Sequence, residues 1–471
     1  MSNDPTIFET LKPSRFITFT IPNTLIHRCY LHTPRIRVAV LDSPIAVDDN
    51  GVPNVAAMIV PEQRETDWKF CTESGQLQIL LNFPGLSRLI LIGNDLALNP
   101  QPCIYIRPPV TDAVDRKKLE IELKSVVTAL TPKVCFENGM PNTVFLIFED
   151  NVLYRANIAR FCGAFVGEFV VEDVELGSNG ESNKKLRRRL RFKRMPNLIQ
   201  SEVALIPVLD DGESNTELDL KSLRKLKNVK FEVDTTVLVH PYLTHMVSGL
   251  SLIASHLNER IQQGFTPRAL CLGVGGGALL SFLNTRMEFE VVGVEADQAV
   301  LIAADEYFGL NDGKSVQLIV GDAIDVIQNL ASQQTKGDAD DSNSQVKIDG
   351  LDAKFDVVMV DLDSSEAQNG ISAPPPEFVK KSIIHAARSL LDDHGVFIIN
   401  VIPLDEEFYM TLIQELKDAF HKVFETDVDD EDNFVLMATV SPPSSNDHDN
   451  AFLEKFRSVI PGDYKESLNA L

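Results

Sequence analysis

Residues 271–280 read CLGVGGGALL, and four glycines in the five positions 273–277 constrain this chain more than any other stretch. Glycine costs roughly 0.5–1 kcal/mol relative to alanine inside a regular element, so such a cluster marks a turn where backbone must approach something closely. It follows a short apolar run and precedes ALLSFL, which places it at a strand-to-helix turn. Three ligands make that demand there: a nucleotide phosphate, a nicotinamide dinucleotide, or S-adenosylmethionine. No Gly-Lys-Ser/Thr follows the glycines, so the phosphate cradle fails. The sequence GVGGGA fits the nicotinamide variant G-x-G-x-x-A, and the glycines alone leave the other two ligands open.

The flanking pattern narrows the choice. From Arg268 onward strand and helix alternate: RALCLGV, FEVVGVEAD, VQLIVGD, FDVVMVDLD and GVFIINVI are near-continuous apolar runs, as strands buried on both faces of a parallel sheet require. HKVFETDV and NFVLMATV, separated by the acidic turn DDED, read as a closing hairpin. In a doubly wound sheet the ligand lies beyond the carboxyl ends of the strands. The first strand ends in Gly273, Gly275, Gly276 and Gly277, and the second in Glu295, 20 residues beyond Gly275, where a carboxylate accepts from two ribose hydroxyls. The third ends in Asp322 and Ala323, suited to an adenine amino group and ring nitrogen, and the fourth in Asp361 and Asp363, beside a reacting cation. A nicotinamide fold needs neither the third acid nor a terminal hairpin, whereas a seven-stranded methyltransferase uses both. Acids also cap strand ends without any ligand, but four glycines followed by acids at three more ends favour a nucleoside-plus-cation site. The expected fold is therefore α/β: a seven-stranded, doubly wound, Rossmann-like class I methyltransferase sheet preceded by a mixed α+β N-terminal region.

At 471 residues the chain exceeds one ordinary core. We expect a β-rich unit over 1–175, a hairpin-and-helix lead-in over 176–265, the cofactor-binding domain over 266–441 and a tail over 442–471. The first unit reads as short strands with one clear helix at 115–130 and carries no recognisable catalytic cluster. The stretch SQQTKGDADDSNSQVKIDGLDA reads as a solvated insertion. A formal net charge of −24 disfavours nucleic acid as a partner and suits a cationic one, although solubility alone explains many acidic surfaces. Against that balance, eight of the eleven residues from Lys184 to Arg194 are basic: either an address or acid-binding patch, or a strand whose charges find the chain's own acids. The six cysteines form no C-x-x-C pair, so no metal site is expected and free thiols in a reducing compartment follow. The N-terminus lacks a signal-peptide pattern and the greasiest run is broken by Asn82, Pro84 and Arg88, which predicts no membrane partner and a cytoplasmic protein.

The order LCLGVGGGALL, VVGVEAD, VGDAIDVI, FDVVMVDLDSSEAQNGISAPPPEFV and GVFIINVI resembles the C-terminal domain of the dual-domain methyltransferase-like family that modifies translation elongation factor 1-alpha. The resemblance is most specific at DLDSS, Gly370 and PPPEF, and extends upstream through GEFVVEDV, RRRLRF, QSE at 200–202 and VHPYLTHMVSGL at 239–250, covering about residues 165–440. That domain in turn resembles spermidine synthases, whose D-S-S-D pattern is echoed by Asp363, Ser364, Ser365 and Glu366.

The resemblance implies S-adenosyl-L-methionine as cofactor and, as protein substrate, the N-terminal α-amine of elongation factor 1-alpha. It gives the acceptor to Asp361 and Asp363. It gives the cofactor to Gly273, Gly275, Gly277, Glu295, Asp322 and Ala323, with Gln200 and Tyr242 reaching over it. For both of these last two a plain strand-edge or core role is equally admissible. Residues 1–164 contain no glycine loop, so the lysine-directed activity of the relatives' first domain is expected to be absent. An aminopropyltransferase and a non-catalytic nucleoside-binding scaffold are the competing readings. Against the former, Glu366 is followed by Ala367 where polyamine enzymes continue with proline. A homodimer stays open.

Overall fold

The computed structural model describes the chain apart from residues 1–4, 29, 46–51, 96–103, 109–112, 138, 142–143, 178–183, 210–218, 227–228, 336–353, 365–371, 404, 429–432, 444–449, 461 and 463–467. Most of the expected insertion, the DDED turn, most of the polar gap at 177–183, Ser365, Glu366 and Gly370 lie outside the described residues.

The first strands are β1 (Phe16–Pro22), β2 (Arg35–Asp42), β3 (Asn54–Ile59), β4 (Leu86–Asn94), β5 (Ile104–Ile106) and β6 (Val144–Leu146). All but β5 make a five-stranded mixed sheet in the order β1-β2-β4-β3-β6. Helices α1 (Trp68–Cys71), α2 (Glu73–Leu81) and α3 (Ala113–Ala129) lie in the same part of the chain. The spacing of Leu119, Leu123 and Val127 puts one apolar stripe of α3 onto one face of this sheet, while Ile79 and Leu80 of α2 cover the other.

The second sheet is antiparallel and adds β7 (Val152–Gly163), β8 (Gly167–Leu176), β9 (Lys185–Phe192), β10 (Ser201–Leu209) and β11 (Val229–Asp234), in the order β11-β10-β9-β8-β7-β5. The boundary expected at 175 thus falls at the end of β8, which pairs along its length with β9. Strand β5, far upstream, forms the edge of the same sheet. The basic run is β9, and its charges meet the chain's own acids. Arg188 pairs with Asp173 at 2.7 Å and Arg189 with Glu202 at 2.6 Å, while Arg191 reaches Asp67 at 2.9 Å and Glu172 at 3.0 Å.

After α4 (Leu220–Leu223), α5 (Pro241–Ser248) and α6 (Ala254–Gln262), the third sheet begins. Its strands are β12 (Arg268–Leu272), β13 (Glu290–Glu295), β14 (Val316–Val320), β15 (Phe355–Val360), β16 (Leu391–Val401), β17 (Lys422–Asp427), β18 (Phe434–Thr439) and β19 (Asn469–Ala470), with α7 (Ala278–Thr285), α8 (Gln298–Phe308), α9 (Ala323–Thr335), α10 (Lys381–Ser389), α11 (Glu406–Ala419) and α12 (Ala451–Val459). The order is β14-β13-β12-β15-β16-β18-β17-β19. Strands β12 to β16 are parallel and β17 and β18 form an antiparallel hairpin, which is the expected seven-stranded class I arrangement with β19 added at the edge. Residues 442–471, expected as a tail, contribute α12 to the main core through Phe452, Leu453 and Phe456, and their last strand to the sheet.

The strand order switches between β12 and β15, which pair in parallel while later strands are added outward on either side. The second sheet closes over this end of the third: Phe169, Val171, Leu190, Phe192 and Val203 pack on Val300, Ala303 and Phe308 of α8. At the same junction the Phe165 and Val166 amides donate to Asp297, the N-cap of α8, at 2.8 and 3.0 Å.

Candidate active site

A cavity of about 1320 Å³ opens over the β12/β15 switch point. The structure brings Gly273, Gly275, Glu295, Asp322, Ala323, Gln200, Tyr242, Asp361 and Asp363 to its wall. Gly277 stands apart from it: left-handed at φ 78°, it N-caps α7, and a Cβ there would press into Leu310.

The glycine turn is built by close approach. Gly273 has φ 88°, and a Cβ on it would collide with the carbonyl oxygen of Asp361. Gly275 has φ 53°, and a Cβ there would lie 2.6 Å from Ser201 Oγ. That hydroxyl accepts from the Gly276 amide at 2.7 Å, so β10 clamps the loop from above. Glu295 clamps it from the side: one carboxylate oxygen accepts from the Val274 and Gly275 amides, both at 3.2 Å. Burial pushes the Glu295 carboxyl up, and these amide bonds oppose the shift.

Asp322 accepts from the Ile324 and Asp325 amides at 2.9 and 3.2 Å, so it caps the start of α9 as well as edging the cavity. The side chain of Gln200 lines the cavity with its Nε2 buried and without a hydrogen-bond partner. A buried amide donor left open costs about 1–3 kcal/mol, and a ligand acceptor would recover it.

At the end of β15, Asp361 is held on both sides: Tyr242 on α5 donates its hydroxyl to Oδ2 at 3.0 Å, and Asn400 on β16 donates to Oδ1 at 3.1 Å. Asn400 is itself fixed by Asn433, whose amide donates to it at 3.1 Å. Burial pushes the Asp361 carboxyl up to about 6, the two hydrogen bonds pull against it, and the neighbouring charge of Asp363 adds to it. Asp363 pairs with Arg194 at 3.4 Å. Tyr242 thus braces the acid while lining the cavity.

Sequence reasoning missed Asn400, Asn433, Ser201 and Arg194. Asn400 had a signal, being the one polar residue in the apolar run VFIINVI, and Ser201 stands beside Gln200 in QSE. It also missed Gln78, Leu81 and Asn82 at the end of α2, which reach the cavity from the first sheet. Among the described residues no group of three or more His, Cys, Asp or Glu is placed to hold a metal ion, and no helix is long and apolar enough to cross a membrane.

No family model matches the chain. It is 28% identical over 411 residues to the eEF1A lysine and N-terminal methyltransferase of Xenopus laevis, a match that takes in 84% of this chain and 52% of the relative. The Homo sapiens protein of that name is 27% identical over 422 residues, 87% of this chain and 54% of the relative. The Drosophila melanogaster homolog is 26% identical over 405 residues, 85% and 50% respectively. The likeness is wider than the 165–440 expected from motifs, and the chain spans about half the length of the curated relatives it matches. Among solved structures, human methyltransferase-like protein 13 in complex with SAH is 25% identical, with 47% of this chain and 90% of that one covered and a TM-score of 0.38. Spermidine synthase from Thermotoga maritima is 13% identical, with 67% and 84% covered and a TM-score of 0.38. The chain is a homologue, over most of its own length, of the eEF1A lysine and N-terminal methyltransferases.

Proposed function

We propose that the chain is an S-adenosylmethionine-dependent methyltransferase whose acceptor is a protein amine, the α-amine at the N-terminus of elongation factor 1-alpha. The names of its homologues support a protein methyltransferase. The observation that carries the reading is Asp361: a carboxylate braced by Tyr242 and Asn400, set directly behind the glycine turn and facing a cavity it shares with Asp363.

The residues present fit the cofactor. The left-handed Gly273 and Gly275 leave no side chain between the backbone of the turn and the cavity, Glu295 lies where ribose hydroxyls would meet a carboxylate, and the open Nε2 of Gln200 awaits an acceptor. When bound, S-adenosylmethionine supplies an electrophilic methyl carbon on a sulfonium. The protein's own task is to position the amine, exclude water and free a nitrogen lone pair. An α-amine has an ordinary pKa near 7.7–8.0, about two units above Asp361, so the incoming group arrives largely as an ammonium facing a charged carboxylate. Asp361 holds that ammonium and takes its proton directly or through water, while Asp363 adds a second negative charge on the same wall. A lysine, at about 10.4, would have to give up roughly 3–4 kcal/mol before it could react near neutral pH, which favours the α-amine. Asp361 and Asp363 would equally hold a polyamine, so the discriminating experiment offers the protein both chemistries. Labelled S-adenosylmethionine with elongation factor 1-alpha bearing a free N-terminus should give transfer, and decarboxylated cofactor with putrescine should give none. The reverse outcome would make the chain an aminopropyltransferase. Cofactor binding without transfer to either acceptor would favour a scaffold.

A further inference from the structure

The first sheet reaches the cavity through one helix end. Gln78, Leu81 and Asn82, the last turn of α2 and its C-cap, stand on the wall beside Leu198 and Ile199 of the turn that joins β9 to β10. This contact is fixed by a ladder of bonds. Gln78 accepts from the Asn197 amide at 3.1 Å, and Ser74 donates to the Lys193 carbonyl at 3.3 Å. Below it, the buried carboxylate of Asp67 receives Arg64, Arg155 and Arg191, the last of these from β9. Burial pushes the Asp67 carboxyl up, and the three guanidinium groups outweigh it, holding the acid well below the usual carboxylate range. The first sheet is therefore tied to β9 by charges taken out of water.

Two observations say what this wall faces. The cavity, at about 1320 Å³, exceeds the roughly 300–1,000 Å³ of an ordinary small-molecule site, so it has room for a cofactor and a second body. The α2 end also lies on the acid side of the cavity: the β9–β10 turn that it grips carries Arg194, which pairs with Asp363, whereas Glu295 and Asp322 sit at the ends of strands on the other side of β12. Leu81, Leu198 and Ile199 are half-buried and belong to none of the apolar clusters formed by the described residues. They are apolar surface left facing the cavity.

We propose that the end of α2 and the 197–199 turn form the wall against which the acceptor chain lies just behind its reacting amine, so that residues 1–175 serve acceptor recognition. The inference rests on the functional reading above and adds the part of the protein that grips the peptide. Leu81, Leu198 and Ile199 offer apolar contact to a side chain of an extended segment, and Asn82, exposed at the helix end, offers hydrogen bonds to its backbone.

The experiment compares Leu81→Ala, Asn82→Ala and Leu81→Met with the full wild-type chain on two acceptors. One is a peptide of about twelve residues from the N-terminus of elongation factor 1-alpha, spanning roughly 40 Å when extended, and the other is its first three residues. With the long peptide, Leu81→Ala should raise KM about tenfold, equivalent to about 1.4 kcal/mol. Asn82→Ala should raise it severalfold, and Leu81→Met should remain near wild type. Cofactor affinity, Tm and kcat should be unchanged, and the tripeptide should not distinguish the variants. An unchanged KM for the long peptide, or equal changes for both peptides, overturns the wall. A loss confined to Tm or cofactor affinity reduces it to a structural contact and overturns it too. Failure of the wild-type chain to methylate either peptide overturns the functional reading, and the inference with it.

Discussion

Asp361→Asn should make the protein more stable and inactive at once, because the group the chemistry needs is one the fold pays to keep charged. The carboxyl is raised from its ordinary 3.8 to about 6, chiefly by burial. A raised acid is held more tightly by the folded than by the unfolded chain when protonated. Its contribution is therefore fully favourable below about pH 4 and is lost as pH rises through 6. Two units correspond to about 3 kcal/mol of cost at neutral pH, an upper bound for the gain on removing the charge. The amide keeps the shape: its oxygen can still accept from Asn400, and the Tyr242 hydroxyl can turn to accept from the new NH2. After that exchange a gain of about 1–3 kcal/mol at pH 7.5 is expected. The assay is urea unfolding of both proteins from pH 4 to pH 8. The difference should be near zero at pH 4 and open through pH 6, with methyl transfer abolished and cofactor affinity retained. A variant that is equally or less stable at pH 7.5, or a difference that does not change with pH, would refute the reasoning about burial.

Glu295→Ala should weaken cofactor binding by about 1–3 kcal/mol in titration calorimetry, since it removes a carboxylate from the cavity wall and two acceptor bonds from the glycine turn; unchanged affinity would take this acid out of the site. Gln200→Ala should lower cofactor affinity by about 0.5–1.5 kcal/mol while leaving the free protein's Tm level or slightly higher, because the Nε2 it deletes has no partner in the fold. If affinity holds, Gln200 is only a strand-edge residue. Asp67→Asn should cost about 3–5 kcal/mol by urea unfolding, as three guanidinium groups lose the charge they were buried against. A loss below about 1 kcal/mol would mean that water reaches the cluster.

The parallel sheet was legible because strands buried on both faces write continuous apolar runs, and its site because ligands in such a sheet lie beyond the carboxyl ends of the strands. That logic brought Gly273, Gly275, Glu295, Asp322, Asp361 and Asp363 to one cavity. What it could not supply are side chains whose roles depend on packing between distant segments. Asn433 supports Asn400, which supports Asp361, across gaps of 33 and 39 residues along the chain that only the pairing of β15, β16 and β18 in the sheet closes. The boundary at 175 was drawn where polarity rose, yet β8 and β9 are hairpin partners on either side of that polar gap. The basic run of β9 could be read as a strand whose charges find the chain's own acids, but charge composition does not reveal which acids. Asp67, the acid that Arg191 reaches, lies 124 residues upstream in a stretch with no pattern of its own. The same holds for Leu81 and Asn82, which nothing in the sequence marks as lining one cavity with Asp363.

The central claim, transfer of a methyl group to a protein α-amine, is tested most directly by mass spectrometry of elongation factor 1-alpha after incubation with the wild-type chain and S-adenosylmethionine. One sample has a free N-terminus and a second has that amine acetylated. The account predicts mass added in methyl units to the first sample only, with fragmentation placing every added methyl on the α-nitrogen, and loss of the signal with Asp361→Asn. Methylation of the acetylated sample, or methyl groups found on lysine side chains of the free one, would contradict it.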